Sequence, residues 1–269
     1  MNLIVTGNKG FIGRQLELKL INENHNVTGI EADFLDNSGW EALLEKKVMD
    51  SDLVFHVGAI SDTSLQDYNK MLFYNYLFSK KLFSICEKHN KKVIYSSSAS
   101  VTGTDGVPLN IYAWSKLMAE DYGVNKCKNI VSLRYFNVYG PGEEHKGKMS
   151  SVAFQAWEKG EFKLFPLKPK RDFVHVFDVV SANIAAMDAK PGVYEVGSGT
   201  AMPFESMLEH LGVNFHYHSE ESIPEWYQFY TESNKKFWIP GWKPKFNLEM
   251  GMKNYKEYLG KKNNGNSLD

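Results

Sequence analysis

The feature that most constrains this chain is the octapeptide Thr6-Gly7-Asn8-Lys9-Gly10-Phe11-Ile12-Gly13, which completes the β-branched run Asn2–Thr6 and opens an amphipathic segment. Ile12, Leu16, Leu20 and Ile21 recur there at helical spacing, with Arg14, Glu17 and Lys19 on other faces, so the glycines stand at a strand-to-helix turn. Gly7 permits the tight turn, Gly10 lets a pyrophosphate approach the backbone, and Gly13 allows close helix packing. The free N–H groups of the helix start add positive potential. The segment is therefore expected to cradle the phosphates of a dinucleotide.

Further short β-branched runs at Asn26–Ile30, Asp52–Val57, Lys92–Ser96 and Ile130–Phe136 alternate with helical patterns. This predicts an α/β fold, a Rossmann-like doubly wound parallel sheet. The pattern over Tyr68–His89 reads as one helix with more apolar surface than a single stripe requires, buried on two sides by sheet and loops or by a second copy of the chain. From Gly140 the pattern loosens, and aromatic residues gather with Pro in Phe162–Phe173 and Trp226–Phe246. The expected division is a dinucleotide-binding domain over 1–140, to which 172–199 returns, and a smaller, mostly C-terminal lobe from 141–171 and 200–260. Residues 261–269 read as a frayed tail.

Composition limits the partners. Over 269 residues, Lys and Arg total 31 and Asp and Glu 32, a formal net charge of −1, so no global field draws the chain to nucleic acid or an anionic membrane. Cys86 and Cys127 form no CxxC motif, and His216 with His218 lacks an acidic or cysteine companion at ligand spacing, so no metal site is expected. The start MNLIVTG lacks a basic, long-apolar leader, which predicts a cytoplasmic protein.

An acid for the ribose hydroxyls is expected near the end of the second strand, where Glu31 and Asp33 stand. An acid there favours NAD, whereas Lys9 and Arg14 could neutralise the extra phosphate of NADP. In Tyr112-Ala113-Trp114-Ser115-Lys116, the Tyr and Lys four apart share one helix face, so the Lys116 ammonium is expected to lower the Tyr112 phenol from its reference value of ~10 toward neutrality. The tyrosinate could then take a hydroxyl proton during oxidation of an alcohol. Ser98, in the Ser-rich strand end before it, could hydrogen-bond the same oxygen.

In this order, the glycine turn, the run SSSASVTG and YAWSK resemble the extended short-chain dehydrogenase/reductase family, and VFHVGAISDT and RYFNVYGP extend the likeness. Within it, RYFNVYGPGEEHKGKMSSVAF, KRDFVHVFDV and EWYQF are similar to the ADP-glycero-manno-heptose 6-epimerases. The resemblance implies a tightly bound NAD or NADP and a nucleotide-activated sugar substrate, epimerised by transient oxidation and re-reduction of a side-chain carbinol. It implies two proton-handling groups, Tyr112 and Lys146, the latter made basic by desolvation or by Lys116, Lys148 and the nicotinamide. It adds Val57, Gly58, Ala59, Ser61, Asn75 and Val138 to the cofactor site. For the substrate it implies Ser98, Asn137, Lys148, Gln155, Phe165, Arg171 and Tyr227.

Some positions depart from the resemblance. Lys148 and Gln155 replace a small hydroxyl residue and a histidine, Phe165–Lys170 is shortened, Thr102 replaces a tyrosine, and 31–50 is compressed as if a strand–helix connection were lost. A 4-epimerase, reductase or dehydratase on the same scaffold is the alternative, and a non-catalytic NAD(P)-binding protein a third. Ala99 and Ser100 stand where a dehydratase would want acids, and the relay residues favour catalysis.

Overall fold

The computed structural model describes residues 1–223 and 227–263. The chain begins as β1 (Asn2–Thr6), α1 (Phe11–Asn22), β2 (Asn26–Ile30), α2 (Trp40–Met49), β3 (Leu53–His56), α3 (Tyr68–Leu72), α4 (Phe78–Lys88), β4 (Lys92–Ser98), α5 (Ile111–Lys126) and β5 (Ile130–Tyr135). It continues through β6 (Asn137–Tyr139), α6 (Val152–Lys159), β7 (Glu161–Leu164), β8 (Lys170–His175), α7 (Val176–Ala186) and β9 (Gly192–Val196). It ends with β10 (Ala201–Pro203), α8 (Phe204–Leu211), β11 (Asn214–Tyr217), β12 (Tyr230–Thr231) and α9 (Leu248–Asn263).

The main sheet runs β2-β1-β3-β4-β5-β9, every pair parallel, as the alternation of β-branched runs and helices predicts. Its central strands are apolar on both faces because helices cover both: Leu3, Val5 and Phe55 pack with Leu16 and Leu20 of α1, while Ile4, Val54 and Val93 pack with Leu82 and Phe83 of α4. The compressed 31–50 segment provides only a 3₁₀ turn, Ala32–Asp36, and α2 before β3, which leaves β2 as the sheet edge.

Segment 172–199 divides between two sheets. The strand expected at its start, β8, does not rejoin the main sheet; it pairs with β10, β12 and β6. A buried apolar pattern specifies that a strand is covered, not which neighbour it takes. The chain then returns: α7 adds Val179, Val180 and Ala182 to the core under α1, and β9 completes the main sheet beside β5. A separate apolar cluster joins Phe154 of α6, Leu164, Met207 and Leu208 of α8, and Met252 and Tyr255 of α9. The tail expected to fray from Lys261 begins inside α9, and 264–269 lie outside the described residues.

The helix expected over Tyr68–His89 is interrupted by a π turn at Phe73–Leu77. Met71, Asn75 and Ser79, four apart, are all buried on the side of this helix that faces the protein. Phe73 and Leu77 are exposed, as are Trp114 and Met118 of α5, the helix on which this turn packs.

Carboxylates join the loops. Asp172 of β8 is fully buried and accepts from the backbone N–H of Ser198 (2.6 Å), Gly199 (3.0 Å) and Ser233 (2.9 Å), and from the hydroxyls of Ser198 and Ser233 (both 2.7 Å). Removing it strands buried donors, each costing about 1–3 kcal/mol. Asp172→Ala is therefore expected to destabilise the fold by about 3 kcal/mol or more, read as a lower urea midpoint at unchanged slope. A midpoint matching the parent would show that these bonds do not hold the loops.

Candidate active site

A cleft of about 340 Å³ opens at the carboxyl end of the main sheet, where the neighbours of β1 diverge to β2 and β3. Gly7, Gly10, Phe11, Ile12 and Gly13 form its floor. Gly7 has φ +66°, and a Cβ there would lie 2.5 Å from Gly58 Cα; a Cβ on Gly13 would lie 2.0 Å from Gly7 O. These contacts require glycine and leave the first N–H groups of α1 bare toward the cleft. Glu31 lies at the edge, its Oε1 accepting from Lys9 N–H (2.6 Å). Asn8 and Lys9 contribute backbone shape rather than side-chain walls: Asn8 Nδ2 donates to Glu17 Oε1 (2.9 Å) and the Lys9 side chain is exposed. Asp33 is exposed in the 3₁₀ turn and does not line the cleft.

Val57, Gly58, Ala59 and Ser61 form a second wall. Asn75 does not join them. It is 1% exposed, with Oδ1 accepting from Ile60 N–H (2.8 Å) and Nδ2 donating to Ile60 O (2.9 Å) and Ser115 Oγ (3.1 Å). Its polar atoms are consumed inside the protein, so it clamps the wall instead of touching a ligand. Val138 is likewise placed in β6 against Val174 of β8, away from the cleft lining.

Tyr112 and Lys116 of α5 line the cleft opposite the glycine turn, one helical turn apart. The N-cap Asn110, whose side chain accepts from Ala113 N–H (2.9 Å), fixes where α5 begins. The expected lowering of the phenol is not found: burial pushes the Tyr112 phenol up, and the Ser98 hydroxyl pulls it partly back. Lys116 is itself buried, which lowers its ammonium to about 7 against an opposing pull from Glu120, and its Nζ lies 4.4 Å over the Tyr95 ring. Ser98 Oγ is also 2.8 Å from Ser100 Oγ. The neighbouring Ser97, whose buried hydroxyl has no partner among the described residues, lines the cleft together with Ser96 and His145. Ser97 is not among the residues expected at the site: strand alternation turns it to the opposite side from Ser98, so nothing in the spacing marks it as a cleft residue.

Lys146 reaches the cleft from the 3₁₀ segment Glu144–Met149, its Nζ 5.3 Å over the Phe11 ring. Burial lowers its ammonium, and Glu143 raises it. Lys148 does not contribute: it is exposed, with Nζ 2.9 Å from Ser64 Oγ and 3.6 Å from Asp62. Gln155 donates to the carbonyls of Ser150 (2.9 Å) and Lys148 (3.2 Å), and Asn137 is exposed on β6.

Three residues expected at the substrate come together elsewhere. The Phe165 and Tyr227 rings meet at 4.9 Å, and the Arg171 guanidinium lies 5.3 Å over Tyr227. Arg171 is 9% exposed and donates to the carbonyls of Lys170 (2.9 Å) and Gln228; it forms no ion pair with Asp172, which faces the other way along β8. His218 packs on Phe165, and among the described residues no group of three His, Cys, Asp or Glu is placed to hold a metal.

A parallel doubly wound sheet with a glycine-lined anion cradle and a Tyr/Lys pair facing it defines a dinucleotide-dependent enzyme of alcohol–carbonyl chemistry. Residues 3–197 match the model of the NAD dependent epimerase/dehydratase family, and the chain belongs to that family. It is 33% identical to the ADP-L-glycero-D-manno-heptose-6-epimerase of Brachyspira hyodysenteriae over 96% of this chain and 98% of that one. The match to the protein of the same name from Thiobacillus denitrificans is 34% identical over 76% of this chain and 75% of the other. The crystal structure of the Helicobacter pylori ADP-L-glycero-D-manno-heptose-6-epimerase superposes with a TM-score of 0.82 at 29% identity, covering 96% of each chain.

The buried lysine makes stability pH-dependent. Lys116 ionises at about 7 in the folded chain and near 10.5 when unfolded, so between these values the unfolded chain binds more protons and stability rises with pH. Lys116→Met without cofactor should therefore exceed the parent in stability by a few kcal/mol at pH 7, the gap closing toward pH 10. Urea titrations across that range check it; a gap independent of pH would contradict the burial of a strained ammonium.

Proposed function

We propose that the protein epimerises a nucleotide-activated sugar at a side-chain carbinol, with an ADP-activated heptose as the first substrate to test. The observation that carries this reading is that Tyr112 and Lys146 line one cleft from different elements. The glycine contacts, the bare helix start, the orphaned Ser97 hydroxyl and Glu31 together fit a dinucleotide, and Glu31 favours NAD. When bound, the dinucleotide supplies reversible two-electron oxidation of a secondary alcohol.

In the proposed reaction, Ser98 and Tyr112 hold the carbinol oxygen and Tyr112 takes or returns its proton in one stereochemical course. Lys146 does so in the other, after the carbonyl intermediate has turned its opposite face. Burial prepares Lys146 for a neutral form; a cationic nicotinamide nearby would lower Lys116 and Lys146 further and would oppose the upward push of burial on the Tyr112 phenol. Arg171, cationic and without a carboxylate partner among the described residues, with Phe165 and Tyr227 beside it, suits a pyrophosphate and its attached groups. Asn137, Lys148 and Gln155 remain part of the proposed substrate surface only through loop movement. A second copy of the chain is proposed against the exposed Phe73, Leu77, Trp114 and Met118. Nucleotide sugars and NAD as reactants suit the cytoplasm.

Incubating the protein with a panel of sugar nucleotides and following the stereocentres by NMR tests the reading. A new epimer should appear without net consumption of added cofactor, whereas stoichiometric NAD(P)H consumption would indicate a reductase. Tyr112→Phe and Lys146→Met should each lower turnover by at least about a hundredfold while cofactor stays bound. Full activity in either variant would remove that residue from the proton path.

A further inference from the structure

One interior polar chain passes beneath the cleft without touching its opening. His56, the last residue of β3, is fully buried between Thr6 and Ser79, with Nδ1 2.8 Å from Thr6 Oγ1 and Nε2 2.7 Å from Ser79 Oγ. The Ser79 hydroxyl donates to Asn75 O (2.6 Å), so its oxygen is left to accept from Nε2–H. Nδ1 then accepts from the Thr6 hydroxyl, whose oxygen in turn accepts from Gly58 N–H (3.1 Å). The imidazole and hydroxyl protons each have one place, and the imidazole is neutral: burial, with the nearby Lys116 charge, lowers it to about 3. Phe78 (5.5 Å), Phe83 (5.8 Å) and Tyr95 (5.4 Å) enclose the ring.

Both ends of this chain reach the cleft walls. At one end, Thr6 is the residue from which the glycine turn departs, and its Oγ1 (3.1 Å) joins its backbone carbonyl (2.9 Å) in accepting from Gly58 N–H of the opposite wall. At the other, Asn75 grips Ile60 through both its N–H and its C=O and donates to Ser115 Oγ, which donates to Tyr112 O (2.7 Å). The loop Val57–Ser61 is thereby tied at two points, to the foot of the glycine turn and to the turn of α5 between Tyr112 and Lys116.

We propose that His56 is a positioning residue: by bridging Thr6 and Ser79 it sets the spacing between the Val57–Ser61 wall and the Tyr112–Lys116 face, and with it the fit of the nicotinamide half of the cofactor. The proposal rests on reading the cleft as a dinucleotide site. The adenosine half meets the glycine turn and Glu31, whose shape is held by the Gly13–Gly7 contact, by Gly7 N–H donating to Ile30 O (2.8 Å) and by the Lys9–Glu31 bond, none of which passes through His56. Loss of the bridge therefore affects one half of the ligand and spares the other.

The test uses two probes, NADH and ADP-ribose, the latter keeping both phosphates and lacking nicotinamide, titrated into full-length protein freed of cofactor. His56→Phe keeps the aromatic packing and removes both hydrogen bonds; Ser79→Ala removes the Nε2 partner together with the Ser79 bond to Asn75 O, leaves the Thr6 bond in place, and guards against a misfolded first variant. Each should weaken NADH about tenfold and leave ADP-ribose within about twofold, and His56→Gln, which keeps an N–H toward Ser79, should recover most of the NADH affinity. Equal weakening of both probes would mean general loosening and overturn the proposal, as would unchanged NADH binding. A parent protein that binds neither probe would overturn the dinucleotide reading of the cleft itself, a separate failure.

Discussion

The main sheet, the first helix and the cleft all depend on three backbones meeting where no side chain fits. Gly7 stands in the left-handed region against Gly58, and Gly13 sits on the Gly7 carbonyl, so β1, the end of β3 and the start of α1 converge within van der Waals contact. That convergence points the helix dipole and its unpaired N–H groups at the place where β2 and β3 leave β1 in opposite directions. An anion cradle follows from the geometry before any side chain is considered. Everything chemically active in the cleft is then arranged with respect to this one fixed edge.

What was legible in the sequence was local. The glycine turn, the β-branched runs that became β1 to β5, and the shared helix face of Tyr112 and Lys116 are set by neighbours a few residues apart. Three other properties are set by distant groups and left no such trace. The covering of β8 depends on strands from 137–139, 201–203 and 230–231, which no periodicity in 170–175 identifies. Asn75, a polar residue in an apolar helix, has the sequence appearance of a ligand contact, yet Ile60 and Ser115 satisfy it. Spacing placed a lysine beside a tyrosine but not the low dielectric around both, and in the folded chain burial outweighs the charge it was expected to lend.

The second apolar cluster is held to its loops by acids that carry no periodic signature either. Asp172 gathers Ser198, Gly199 and Ser233; Asp178 of α7 accepts from the N–H groups of Lys245 (2.8 Å) and Phe246 (3.0 Å). Glu143, fully buried, accepts from Ser151 N–H and Oγ (2.5 and 2.6 Å) and from the Tyr255 hydroxyl (2.9 Å). A carboxylate can accept several N–H groups from unrelated segments at once, which makes it an effective joint where chain paths are irregular. These joints consume their acids internally, and among the described residues the neighbouring cation Arg171 has no carboxylate partner.

Glu143 also explains why the proposed pair of proton-handling groups stands on separate supports. Tyr112 rides on α5 against the main sheet, whereas Lys146 belongs to a segment fastened by Glu143 to α6 and α9. Inversion at one carbon requires proton transfer on two opposed courses, and a single helix face presents its groups to one side only. The second group must therefore enter from another body, and its reach then depends on how firmly that body is docked. Gln15 of α1 donates to Pro141 O (3.1 Å), and the Lys146 ammonium lies over Phe11 of the glycine turn. The loop bearing the second proton group is thus registered against the same backbone edge that shapes the anion cradle, so both proposed partners share one geometric reference although they belong to different cores.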